Sequence, residues 1–334
     1  MEKSSRYEDL MKYVMIYISC IKITLGCKFY FDFEYLGEYK LVNMHNIVTT
    51  AIFATCLFFF SYIFNNTSIV DMGWGSLGIL LILDSLINQN ISLLQYLRVE
   101  ILDLKMIDLS LFIFGYSIIL IYSLRHVVMY ISHFKGLDIV NEDFRYKEFK
   151  SKYGFNDYLF WTVNYFLLHQ IPLIILALAY QPIFQMFYSI INKKVEIIED
   201  NSVIYSVLGF IIATFALICE TIADEQLAIF RKEKEKLMEK EPTVGSRVIY
   251  IGLWKFLRHP NYFGEVIYFF SLLVFISGLG VKLLFVNSIG FIAMASIFIF
   301  YSVPAMEKYL LNKYKEEYVR YKNKVRYRII PFVY

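Results

Sequence analysis

Three runs of this chain carry no charged residue over a length sufficient to cross a bilayer: residues 46–64, 283–306 and 158–192. A transmembrane helix needs about 20 predominantly apolar residues, and in hydrocarbon only helices and closed barrels satisfy their own backbone polar groups. The runs therefore predict an all-α fold, a polytopic integral membrane helix bundle. The third run is long enough for a span plus an interfacial or re-entrant piece. Weaker candidates are residues 13–27, broken by Lys22; 76–97, broken by Asp84; 106–124; 203–222; and 262–280. Together they give about seven to eight spans. Composition agrees, with 58% of 334 residues hydrophobic, 19% aromatic, and a mean hydropathy of +0.50. A soluble domain of that size has no use for so much apolar surface.

A formal net charge of +3 is too small to argue for nucleic acid. The basic residues cluster in 125–152, 231–258 and 308–328, and two spans separate each cluster from the next. All three then share one face, which the positive-inside rule makes cytoplasmic or matrix-like, with both termini there. No Pro/Gly/Ser linker or repeat interrupts the chain, so one integral domain is expected. Residues 224–241 are hydrophilic and alternate in sign through Arg231-Lys232-Glu233-Lys234-Glu235-Lys236, as a solvated helix or loop does. Gly73-Trp74-Gly75-Ser76-Leu77-Gly78 matches the dinucleotide pattern G-x-G-x-x-G but lacks any βαβ context. Its glycines point instead to close helix packing or close approach of a ligand. Cys20, Cys27, Cys56 and Cys219 lie in or beside apolar segments and read as small buried hydrophobes. No cleavable signal peptide is evident.

The densest polar segment is Leu257-Arg258-His259-Pro260-Asn261-Tyr262-Phe263-Gly264-Glu265. Pro260 suits a first helical position, and the free N–H groups there, beside Arg258, make an anion site. Asn261 and Glu265 share a face of that helix. Ionisable residues at or inside spans are costly, which makes Asp71, Asp84, Asp108, His169, Glu220, Asp224, Glu265 and Glu307 candidates. Asp84 and Asp108 read as facing neighbouring helices. His169, with Gln170 and Pro172, reads as a hydrogen-bonded kink, and no metal-ligand spacing occurs. Glu220 and Asp224, four apart on one face, fit either a helix end frayed into water or a site with a cationic partner, for which Lys255 and Arg258 are available. Tyr314, Tyr318 and Tyr321 fall at spacings of four and three, a stripe suited to a purine or to the membrane interface.

With these segments assembled, the chain resembles the DUF1295 membrane family, a branch of the steroid 5-alpha-reductase C-terminal superfamily that also holds isoprenylcysteine carboxyl methyltransferases. Ser68-Ile69-Val70-Asp71-Met72-Gly73-Trp74-Gly75 is similar to its front signature. Glu142-Asp143-Phe144-Arg145-Tyr146 and Lys152-Tyr153-Gly154 are similar to its central loop, with Tyr153 where tryptophan is usual. Glu220, Ala223-Asp224, Gln226 and Phe230 match a further block, and the segment from Arg258 to Glu265 matches without a gap. Pro304 to Glu307 and Tyr318 to Ile330-Pro331 match the ending, except that basic Arg326-Tyr327-Arg328 replaces the usual Thr or Ser.

That resemblance implies a substrate or lipid half at residues 46–202 and a cofactor half at 203–334, behind an extension at 1–45. The cofactor would lie between the C-terminal helices in a pocket open to the cytoplasmic or matrix face: NADPH as in the reductases, or S-adenosylmethionine as in the methyltransferases. Asp224, Gln226, Trp254, Arg258, His259, Asn261, Tyr262, Glu265, Glu307, Tyr318 and Arg320 are the residues implied to bind it. The leading expectation is an NADPH-dependent reductase of a carbon–carbon double bond in a sterol-like or enone-like membrane lipid. In the steroid reductases a Glu/Tyr pair on early spans supplies the acid; no such pair aligns here, and Asp71 is the best-placed early carboxyl. The alternatives are a lipid methyltransferase and a non-catalytic lipid-binding or structural subunit of a membrane complex. Endoplasmic reticulum and mitochondrial inner membrane fit the sequence equally.

Overall fold

The computed structural model describes residues 2–30, 44–100, 106–134, 136–153, 156–191, 200–240, 248–279 and 281–333. Among them, regular structure is helical apart from one isolated parallel bridge, Leu257 to Tyr327. Seven helical runs among the described residues are long and apolar enough to cross a membrane: Glu8–Cys27, Met44–Ile63, Thr67–Ile87, Leu111–His133, Asp157–Phe187, Val203–Lys240 and Leu284–Tyr314. The chain is an integral, multi-pass membrane protein in contact with lipid. An eighth apolar helix, Pro260–Phe275, has 16 residues. At 1.5 Å per residue it reaches about 24 Å, short of a hydrocarbon core of about 30 Å.

The residues form two compact units, Met1–Val203 with Leu279–Gly290, and Ile204–Gly278 with Phe291–Tyr334. The first unit is built on α1 (Glu2–Tyr30), α2 (Met44–Ile63), α3 (Gly73–Glu100), α4 (Met106–His133), α5 (Phe144–Tyr153), α6 (Asp157–Asn164) and α7 (Ile171–Ile191). Phe53, Leu57, Leu80, Leu81, Ile119, Tyr180, Phe184 and Phe187 fill its interior. The glycines of the discarded dinucleotide pattern explain the approach of α3 to α4. A Cβ on Gly75 would lie 2.8 Å from the Val127 nitrogen and 2.9 Å from the Ser123 carbonyl oxygen, and one on Gly78 would collide with Ser123 Oγ. Asp84 is buried and faces α2, where His45 Nε2 lies 2.8 Å away and Thr49 Oγ1 donates at 3.0 Å. All four cysteines are free thiols, with Cys20 buried. The Asp108 side chain and Gly154 lie outside the described residues.

Residues 158–191 form one helical run, not a span with a separate re-entrant piece: α6 passes through a π-helical turn at Tyr165–Gln170 into α7. Pro172 gives the reason. Its ring crowds the carbonyl four residues back and it donates no hydrogen bond, which a widened turn absorbs. His169 sits in that turn, with Nε2 2.9 Å from Ser61 Oγ and Nδ1 3.4 Å from the Asn164 carbonyl. A second π turn, Ile297–Ser302, joins α10 (Val281–Ser296) to α11 (Val303–Tyr314) and again precedes a proline, Pro304.

The second unit takes its frame from α8 (Asp200–Lys240), α9 (Pro260–Phe275), α11 and α12 (Glu316–Lys324). α8 does not stop near residue 222 but continues to Lys240, so the alternating-sign stretch is an exposed helix. α9 packs closely on it, because a Cβ on Gly264 would lie 2.6 Å from Glu220 Cβ and 3.0 Å from the Ala216 carbonyl oxygen. Ser206 Oγ donates to the Phe275 carbonyl at 2.8 Å, fixing the other end of the pair.

Candidate functional site

In the second unit the segment ahead of α9 is anchored to α8 before it reaches the site. Gly252 adopts a φ of +50°, and the Gln226 amide lies where a side chain at 252 would project. Gln226 Oε1 accepts from the Leu253 N–H at 3.0 Å, Trp254 Nε1 donates to the Ala223 carbonyl at 3.0 Å, and the Tyr321 hydroxyl donates to the Trp254 carbonyl at 2.9 Å. Gln226 and Trp254, both expected at a cofactor, thus use their polar groups to seat this turn.

Arg258 and His259 are stitched to the C-terminal tail. The Arg258 and His259 N–H groups donate to the Tyr327 and Arg328 carbonyls, each at 2.9 Å. Arg258 is buried: Nε donates to Glu307 Oε1 at 2.6 Å, while Nη1 donates to the Val325 and Arg326 carbonyls, each at 3.0 Å. Glu307, buried on α11, also has His259 Nε2 at 3.6 Å, Arg328 Nε at 3.5 Å and Lys322 Nζ at 3.6 Å. Arg258, offered by the sequence as the cation for Glu220 and Asp224, goes to Glu307 instead. Asp224 Oδ1 accepts from Asn261 Nδ2 at 3.3 Å. Glu265 is buried on α9, with a carboxylate oxygen within 4.8 Å of one on Glu220.

Beside this clamp stands an aromatic wall. The His259 ring stacks on Tyr262 at 5.5 Å and 15°, and Tyr262 meets Phe298 at 5.2 Å. Burial holds the His259 imidazole below its ordinary pKa despite the nearby Glu307 carboxylate. His259 Nε2, Asn261 Oδ1 and the Tyr318 hydroxyl are buried atoms with no hydrogen-bond partner. Atoms of this kind can take the polar groups of a ligand.

The tyrosine stripe is neither a stacking platform nor an interface belt. Tyr318 and Tyr321 are buried with Val248 and Val325, and Tyr314 packs against them. Lys315, at φ +47°, breaks the helix between α11 and α12, so the spacing of four from Tyr314 to Tyr318 is not one helical turn. Arg320 is exposed, two residues from both Tyr318 and Lys322. Lys322 and Arg328, not Arg320, face the Glu307 carboxylate. The signal for Arg328 in the sequence was the basic replacement in the tail.

A separate polar assembly lies in the first unit and joins two motifs more than 70 residues apart. The Asp143 N–H donates to Ser68 Oγ at 2.8 Å and the Thr67 N–H to Glu142 Oε1 at 2.8 Å. The Tyr146 hydroxyl donates to Asp71 Oδ1 in a short bond, and Arg145 Nη2 donates to Asp71 Oδ2 at 3.2 Å while its Nε donates to Asp143 at 2.8 Å. Trp74 Nε1 donates to the Tyr122 hydroxyl at 2.9 Å. Burial, reinforced by the Asp71 charge, pushes the Tyr146 hydroxyl well above the usual tyrosine range.

The sequence profile of DUF1295, a family described as of unknown function, matches residues 57–325. The chain belongs to DUF1295. No curated protein and no solved structure matches it. The DUF1295 match takes in the Asp71–Tyr146 assembly, the segment from Arg258 to Glu265, Glu307 and Lys322. It stops short of Arg326 and Arg328, so the tail's basic pair lies beyond what the family profile covers.

Proposed function

We propose that the protein is an NADPH-dependent reductase of a carbon–carbon double bond in a membrane lipid such as a sterol enone. The observation that carries this reading over a methyltransferase is the convergence of Arg258, Lys322 and Arg328 on the single carboxylate of Glu307. Fixed positive charge attracts a polyanionic dinucleotide and repels a sulfonium. The unsatisfied His259 Nε2, Asn261 Oδ1 and Tyr318 hydroxyl fit the same ligand, since ribose hydroxyls and a carboxamide offer both donors and acceptors. Glu265 would take a ribose hydroxyl, and the His259–Tyr262 stack would flank a ring.

When bound, NADPH would supply a hydride for the enone's β-carbon. The matching proton would come from a group of the chain. Within the first unit the Tyr146 hydroxyl keeps its proton across the physiological range and gives it in a hydrogen bond to Asp71, so that pair ties the front and central motifs together. In this reading the face bearing Arg258, Lys322 and Arg328 meets the NADPH-containing compartment, cytoplasm or matrix.

The deciding experiment is a thermal-shift titration of the detergent-purified protein with NADPH, NADH and S-adenosylmethionine, followed by turnover on a sterol enone. A selective ligand at 100 times its Kd stabilises the fold by about 2.7 kcal/mol. The reading expects that stabilisation from NADPH and none from S-adenosylmethionine. The reverse result would make the protein a methyltransferase, and a response to neither would leave a lipid-binding or structural subunit.

A further inference from the structure

Two of the four cysteines meet in space. Cys20 is fully buried on the face of α1 that also carries Tyr13, Ile16, Tyr17 and Thr24, and Cys56 is half-buried on α2, the helix against which α1 packs. Their thiols are hydrogen-bonded to each other, and the Thr24 side chain is a further partner of Cys56. A disulfide needs its sulfurs about 2 Å apart, and thiols already in contact reach that distance by side-chain rotation and a small approach of the two helices. A buried cysteine without such a neighbour is inert. Here the half-buried sulfur is open to attack an oxidant and the buried one stands ready to resolve the product.

Position along the helix selects the oxidant. Cys56 lies about 18 Å from Met44 and about 10 Å from Ile63 along α2, well inside the span. Water-borne oxidants do not share that layer, whereas a hydroperoxide on an acyl chain does. We propose that Cys20 and Cys56 form a redox pair that a lipid hydroperoxide closes to a disulfide, tethering α1 to α2. The Cys56 sulfur attacks the O–O bond, giving a sulfenic acid and a lipid alcohol that takes up the Cys56 thiol proton. The Cys20 sulfur then forms the S–S bond and displaces the hydroxyl, which leaves as water with the Cys20 proton. Two thiols are oxidised and one hydroperoxide is reduced. Both cysteines precede residue 57, where the family profile begins, so the pair belongs to a part of the chain that the profile does not cover. Nothing in this step depends on the dinucleotide reading.

The test is non-reducing peptide mapping of the full-length protein, reduced and placed in nanodiscs that contain phosphatidylcholine hydroperoxide. The expectation is one linked peptide pair joining Cys20 to Cys56, released by dithiothreitol, with Cys27 and Cys219 still free. Glutathione disulfide, confined to water, should leave all four thiols unlinked. Cys20→Ala should stop the reaction at a dimedone-reactive sulfenic acid on Cys56, and Cys56→Ala should leave Cys20 a free thiol. Mapping of the parent decides the matter without relying on either variant to fold. Absence of the 20–56 link, a link through Cys27 or Cys219 in its place, or linkage by glutathione disulfide as fast as by the lipid hydroperoxide would overturn the proposal.

Discussion

At Glu307 one buried carboxylate carries the electrostatics of the C-terminal unit, and its removal is the most informative single change there. Glu307→Gln leaves Arg258 buried without a counter-charge, a loss on the order of 3–5 kcal/mol. Thermal unfolding should show a large drop that added salt recovers only in part, since a buried cation is poorly screened. His259 gives a second expectation. Burial depresses its folded pKa below the unfolded value of about 6.5, so the unfolded chain takes up the proton first. Its contribution is fully present above that value and is lost as pH falls toward the folded pKa. Melting temperature should therefore decline below about pH 6.5, and His259→Gln should flatten that part of the profile. The polar segment from Arg258 to Glu265 was legible as a site because ionisable groups beside an apolar helix are costly. The pairing of Arg258 with Glu307 was not, because 49 residues separate them and nothing local ties one to the other.

Helices followed from the apolar runs almost directly, and departures from them trace to single backbone events. Periodicity assumes an unbroken helix, and Lys315 at positive φ invalidated it for the tyrosines. Proline positions hinted at irregular helix near residues 172 and 304, but not that each irregularity is a π turn. Close packing of α3 on α4 yields a graded prediction. Gly75→Ala drives a methyl against backbone atoms of Ser123 and Val127, which cannot swing away, whereas Gly78→Ala meets the rotatable Ser123 hydroxyl. Unfolding in detergent should show Gly75→Ala costing on the order of 1–3 kcal/mol and Gly78→Ala less. Equal losses would mean that the backbone separation is softer than the geometry indicates.

For the whole molecule, the two polar assemblies lie in different units and should respond separately. Tyr146→Phe removes the hydrogen bond to Asp71 and is expected to cost about 1–3 kcal/mol of stability in detergent while leaving stabilisation by NADPH unchanged. A parallel loss of NADPH binding would mean that the two assemblies do not respond separately. Composition disclosed the membrane class and motif order disclosed the family, but neither could show that the front and central motifs form one assembly, since that contact is made only in three dimensions. The division between units passes through α10, at Gly290 and Phe291, and Gly290 seats against the Leu178 backbone of α7. The first unit therefore lacks one of its own pieces until residue 290 has left the ribosome. Membrane insertion of the early spans must precede completion of their packing, and the nascent chain has to wait, partly assembled, for most of the second unit to be made.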